Sequence, residues 1–391
     1  MEASLRVVPP RSGIVAVLGL LTAMLPTAVR AQGSADAAIA AQTSPLIEQR
    51  FKLPLRLPGP TGAARDFALE TLLLRPPGAG PFPLAVITHG TSRDLGLRRK
   101  VRPDWFLPEA RSFARRGWAA AVVVRRGFGE SSGAFEEGYG SCDDPNFVQA
   151  GQEAAADLAG AVQYLARQPS IDGARVLGIG QSTGGMAWLA AAARHVPGLV
   201  AVISFAGGNG SSTPGHNCSE PRLMSAFAQF GASKVPSLWI YADNDLYFGP
   251  DLAQRLLATY RESGGAAVLH IVPPQGADGH DLFLDPAGTQ VWSPLVDQFL
   301  RAQGLPTWTV DQALIDALEG VHKEHFLRYL TAASEKAFAI SGDGSWDWWV
   351  GSRASTQDAV SAALDRCQDG GKRRCRAYAV NFSKPAAPSV P

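Results

Sequence analysis

The chain has 391 residues, 46% hydrophobic and 18% charged, with a net charge of +1. This composition excludes a disordered or fibrous chain and gives length enough for one large domain or two smaller ones. A charge so close to zero leaves no overall basic field to recruit nucleic acid or an anionic membrane.

Residues 1–31 read as a secretory signal. Arg6 and Arg11 form a positive start, and Ile14 to Leu25 is an apolar run of h-region length, too short to span a bilayer. Pro26 breaks the run, and Val29-Arg30-Ala31 puts small residues at a cleavage position. The expectation is a periplasmic or secreted protein with no membrane attachment after cleavage. Four cysteines then suit two disulfides in an oxidising compartment. Three pairings are possible. Proximity along the chain suggests Cys367–Cys375, with Cys142–Cys218 as the second. The spacing matches no zinc site.

Residues 32–50 read as a linker and residues 51–304 as the main domain. Phe51 to Leu57 alternates apolar and polar residues, the period of a half-buried strand, and Asp66 to Arg75 gives a second strand after the Pro58–Gly62 turn. Pro83 to His89 is the first wholly apolar strand. Trp105 to Arg116 is helical, stopped by Gly117. Trp118 to Val124 is a strand, Gln152 to Arg167 a helix, and Arg175 to Ile179 another strand. Leu199–Phe205, Ser237–Tyr241 and Ala267–Val272 complete the series. Apolar strands that alternate with helices predict a mostly parallel, doubly wound sheet with ligands at the strands' carboxyl ends.

At one such end stands Gly180-Gln181-Ser182-Thr183-Gly184-Gly185, led in by an apolar strand and followed by an alanine-rich helical run. That is the context of a nucleophile elbow, which makes Ser182 the candidate nucleophile. A second copy of the pattern, Gly129-Glu130-Ser131-Ser132-Gly133, has no apolar helix behind it and reads as loop. A serine hydroxyl needs a base and an orienting carboxylate. Chain order selects His280, in the loop after the last strand, over His89, which closes a strand. Two aspartates compete after Tyr241: Asp245 is taken as the acid and Asp243 as the turn cap. The backbone N–H groups of Thr183 and Thr91, with Ser92 as substitute, would form the oxyanion hole. His89 would then orient the Thr91 loop.

Together, Thr88-His89-Gly90, Arg126-Gly127-Phe128-Gly129-Glu130-Ser131-Ser132-Gly133, the Gly180–Gly185 stretch, Asp245 and Gly279-His280 resemble the α/β-hydrolase superfamily, more closely its dienelactone-hydrolase-like and prolyl-oligopeptidase-like branches. The resemblance implies an α/β-hydrolase fold and a Ser-Asp-His triad, and that Arg126 or Tyr139 lines the pocket. Dienelactone hydrolases often carry a cysteine nucleophile where this chain has Ser182, which moves the expectation to esters generally. Residues 305–384 read as a small α+β module: a helix over 310–334, a strand from Lys336, a Trp cluster, a helix from Thr356 and a Cys-stapled final strand. The tail from 385 reads as disordered.

The reading is an exported serine esterase on a small-molecule ester, needing no cofactor or metal. A peptidase or amidase on the same three residues is the chemical alternative. A catalytically silent binding protein that uses Trp346, Trp348 and Trp349 is the alternative from another class.

Overall fold

The computed structural model describes residues 44–385 apart from 59–62, 93 and 309. The expected signal, most of the linker and the end of the tail lie outside the described residues. Ten strands belong to the main part of the chain: β1 (Ile47–Pro58), β2 (Ala64–Arg75), β3 (Phe82–Thr88), β4 (Ala119–Val123), β5 (Ile171–Gln181), β6 (Leu199–Phe205), β7 (Ser211–Thr213), β8 (His216–Asn217), β9 (Ser237–Ala242) and β10 (Ala267–Val272). Eight of them form one sheet in the order β1-β2-β4-β3-β5-β6-β9-β10. β1 and β2 form the expected antiparallel hairpin, and β2 meets β4 antiparallel. From β4 to β10 every pairing is parallel. β1 starts at Ile47, inside the stretch read as linker, because Ile47–Arg50 pairs with Leu72–Arg75.

The strands read apolar throughout because both faces are covered. In β4, Ala119, Ala121 and Val123 enter one core while Ala120 and Val122 enter the other. β5 lies inside the sheet, between β3 and β6. The helix Thr183–Ala193 that follows it is buried along nearly its whole length. Gly178 is required there: a Cβ would stand 2.4 Å from the Trp188 ring on that helix. The parallel register brings Thr88, Gly180 and Ser204 level at the carboxyl edge.

The serines of the second Gly-x-Ser-x-Gly copy are occupied structurally. Ser131 Oγ accepts from Glu70 N and donates to Val124 O, while Ser132 Oγ accepts from Ala68 N. They fasten the loop to β2.

The C-terminal part has β11 (Ala337–Ser341), β12 (Asp347–Val350) and β13 (Cys375–Val380) in a three-stranded antiparallel sheet of order β12-β11-β13. The expected single helix over 310–334 is two, Gln312–Asp316 and Gly320–Thr331, interrupted over 317–319, with Gly320 (φ +52°) opening the second. The helix Thr356–Gln368 packs on the sheet and is stapled to β13 by Cys367–Cys375. His322 and His325 both bond the Asp347 carboxylate and tie their helix to β12. Trp349 packs with Tyr329, whereas Trp346 and Trp348 are exposed.

Buried charge joins this part to the sheet. Arg115 Nε donates to Glu335 Oε1 (2.9 Å) and Nη2 to Thr356 Oγ1 (2.9 Å). Arg116 Nε donates to Asp297 Oδ1 (2.7 Å) within the main part, and this pair meets the C-terminal part where Thr307 Oγ1 donates to the same Asp297 oxygen (2.6 Å) and the guanidinium lies over the Trp308 ring (4.5 Å). Removing one partner of a buried pair strands the other. Arg115→Met is therefore expected to cost about 3 kcal/mol, read from denaturant melts; a loss under about 1 kcal/mol would contradict this account.

Burial also pushes the Glu109 carboxyl up to about 8, and its Oε2 has no partner among the described residues. The folded value lies above the unfolded one of about 4.3, so the folded state holds the proton more tightly. The stability from this group is full below about pH 4 and is lost as pH rises through about 8. Glu109→Gln should match the parent near pH 4 and exceed it at pH 8. Parallel stability–pH curves for the two proteins would refute this.

Candidate active site

Ser182 caps the helix Thr183–Ala193 with φ 55° and ψ −125°. A side-chain-bearing residue held there costs on the order of 1–3 kcal/mol. The surroundings hold it: Ser182 N donates to Phe205 O (2.8 Å), and Ser182 O accepts from Met186 N (3.2 Å) and Gly208 N (3.2 Å). Close approach requires the flanking glycines. A Cβ on Gly180 would stand 2.2 Å from Gly184 C, and one on Gly184 2.5 Å from His89 O.

His280 follows Gly279, where a Cβ would meet Ala242 Cβ at 2.4 Å and Asn244 Oδ1 at 2.5 Å. The imidazole Nδ1 lies 3.2 Å from both carboxylate oxygens of Asp245. Asp245 Oδ1 also accepts from the N–H groups of Tyr247 (2.8 Å) and Phe248 (2.9 Å). The turn cap is thus Asp245 itself, and not Asp243, whose side chain is exposed. One carboxylate both fixes its loop and faces the imidazole. Gln181 Nε2 donates to His280 O (3.0 Å), so the residue beside Ser182 holds the histidine loop. No hydrogen bond joins Ser182 Oγ to the imidazole among the described residues. Contacts of this kind are often loose before substrate binds.

Ser182, Thr183, His280, Thr91 and Ser92 line one cavity of about 700 Å³, with Tyr139, Tyr247 and Phe248 in its walls. That size suits a small organic ligand. The N–H groups of Thr91 and Thr183 find no acceptor within the protein among the described residues. His89 is buried and stacked on Phe128 (4.4 Å). Its Nε2 accepts from Arg125 N (3.1 Å), which puts the ring proton on Nδ1, facing Gly90 O (2.7 Å). Burial, with Arg125 nearby, lowers its pKa well below the usual histidine range. Both ring nitrogens are thus engaged with backbone groups of the loops beside the cavity.

Two further residues shape the site. Arg125, fully buried, makes a bidentate pair with Glu137 (2.6 and 2.8 Å) and donates to Thr88 Oγ1 (2.8 Å) and His89 O (2.7 Å). Thr91 Oγ1 donates to Glu137 Oε1 (2.6 Å) and lies 2.7 Å from Thr183 Oγ1. Only the Arg125-Arg126 pair just past a buried strand hinted at this in the sequence. Arg126 does not line the cavity. Its guanidinium turns away, to Asp157 and Glu153 and over the Phe67 ring. Tyr139 does line it, beside the Cys142–Cys218 disulfide that joins loops 135–147 and 207–221. Among the described residues no group of His, Cys, Asp or Glu side chains is arranged to hold a metal.

The strand order, with the elbow after β5, an acid after β9 and a histidine after β10, is that of the α/β-hydrolase fold. The family described as X-Pro dipeptidyl-peptidase (S15 family) matches residues 66–224. No curated protein matches the chain. Among solved structures, a protein of Klebsiella pneumoniae titled as a dienelactone hydrolase is similar at 17% identity, covering 67% of this chain and 99% of its own, with a TM-score of 0.46. Thermogutta terrifontis esterase 2 (17%, 62% and 92%, TM-score 0.44) and a Pyrococcus furiosus esterase (14%, 66% and 90%, TM-score 0.42) are similar too.

Gly184→Ala should lower stability by about 1–3 kcal/mol, since its Cβ meets backbone at 2.5 Å. An unchanged thermal melt would show that the elbow relaxes freely.

Proposed function

We propose that the protein is an exported serine hydrolase that cleaves carboxylic esters. The observation that carries this is the strained Ser182 at the rim of a cavity that also holds His280, with Asp245 on the far nitrogen of the imidazole. Ser182 Oγ attacks the acyl carbon while its proton passes to Nε2 of His280. Asp245, accepting from Nδ1–H, holds that tautomer and balances the imidazolium as it forms. The Thr91 and Thr183 N–H groups receive the oxyanion, each worth about 3 kcal/mol in such sites. Collapse breaks the bond to the alkoxy group, which leaves as the alcohol with the proton from His280. Water then attacks the acyl-enzyme by the same path and releases the acid. The two disulfides support an oxidising compartment.

The match to a dipeptidyl-peptidase family over 66–224 favours a second reading, an amide-cleaving enzyme with the same residues. Parallel panels of p-nitrophenyl esters and peptide anilides separate the two. Ser182→Ala should lose fluorophosphonate labelling and about 10⁴-fold or more in turnover. Labelling retained in this variant would reject Ser182 as nucleophile.

A further inference from the structure

One lip of the cavity combines exposed apolar side chains with a cluster of cations. The short helix Leu95–Lys100 and the turn Pro103–Phe106 form it. Leu97 and Trp105 line the cavity yet stand 46% and 47% exposed, and Leu95 on the same helix is 62% exposed. Scattered exposed leucines need no explanation, but three large apolar side chains within eleven residues on one lip do.

The same segment carries Arg98, Arg99, Lys100 and Arg102. Nearby carboxylates are already engaged: Asp104 by Arg50, Glu130 by Lys52 and Arg102, and Asp94 as the helix cap on Gly96 N. Arg98, Arg99 and Lys100 make no ion pair among the described residues. Arg98 lies over the Phe135 ring at 4.0 Å, and its Nε is buried without a hydrogen-bond partner. The near-zero net charge hides this local cluster.

We propose that this lip docks the protein on an anionic lipid surface, with Leu95, Leu97 and Trp105 in the interface and Arg99 and Lys100 among the headgroups. Exposed leucine and tryptophan beside arginine and lysine is the composition of elements that lie in a membrane interface. Long cationic side chains reach the headgroups while their stems cover apolar surface. A nucleic acid would use the cations and leave the apolar groups in water; a bilayer takes both. Asp94, at the start of the same helix, and Asp278 and Asp281 line the cavity itself, which keeps the cationic contact on the outer face of the lip and the cavity mouth at the edge of the lipid.

The test is co-sedimentation of the intact protein with phosphatidylglycerol-containing vesicles and with pure phosphatidylcholine vesicles, at low and high salt. Binding should favour the anionic vesicles about tenfold or more and weaken with salt. Leu95→Asp, and separately Arg99→Glu with Lys100→Glu, should each lower the partition coefficient about tenfold. Neither set lines the cavity, so hydrolysis of short soluble esters and the thermal melt should stay as in the parent. Absence of binding to anionic vesicles, equal binding to both vesicle types, or variants that bind like the parent would each overturn the proposal. Ser182→Ala should bind vesicles unchanged, so a failure of the hydrolase reading would not be mistaken for a failure of this one.

Discussion

A single buried cation underlies the geometry of the rim. Arg125 enters from the end of β4 and bonds Thr88, the His89 carbonyl and both oxygens of Glu137. Taking a guanidinium out of water costs several kcal/mol, and only a full set of partners offsets that. Here the partners come from two segments besides the arginine's own, so satisfying the charge fixes the three relative to one another. Thr91 and Thr183 hang on the same knot through their hydroxyls, which sets the direction of the two N–H groups they carry. Without Arg125, Glu137 would be left buried and unpaired beside the cavity.

The sheet and the elbow could be read from the chain because each rests on local pattern, whereas the facing of Asp245 and His280 was expected from chain order and the family resemblance. Strands such as Leu199–Phe205 are apolar on both faces, and the elbow glycines sit within five residues of Ser182. The Arg125–Glu137 pair was not legible: the two are twelve residues apart across an aperiodic loop, and nothing local says which of two adjacent arginines turns inward. Of the two residues expected to line the pocket, Arg126 or Tyr139, it is Tyr139 that does, while Arg126 goes to Asp157, since successive side chains past a strand leave on opposite sides. The capping role assigned to Asp243 belongs to Asp245 because a turn's bonding depends on its final shape, and two nearby aspartates look alike in sequence. The break just before Gly320 was lost in an otherwise helical pattern.

The C-terminal part shows how a small sheet can be held without a large core of its own. Lys336 is buried, donates to the Leu330 and Ala332 carbonyls (2.6 and 2.9 Å), and lies over the Phe382 ring at 3.8 Å. Burial, with Arg116 nearby, lowers its pKa well below the usual lysine range. With Arg115–Glu335 and Arg116–Asp297, this gives a seam of satisfied polar groups, which specifies one arrangement where an apolar contact could slide.

The Cys142–Cys218 bond joins two walls of the cavity, yet neither cysteine lines it. A covalent tie placed just outside the cavity limits how far its two walls can part, so the width of the mouth is set in part by a bond that no occupant of the cavity would touch.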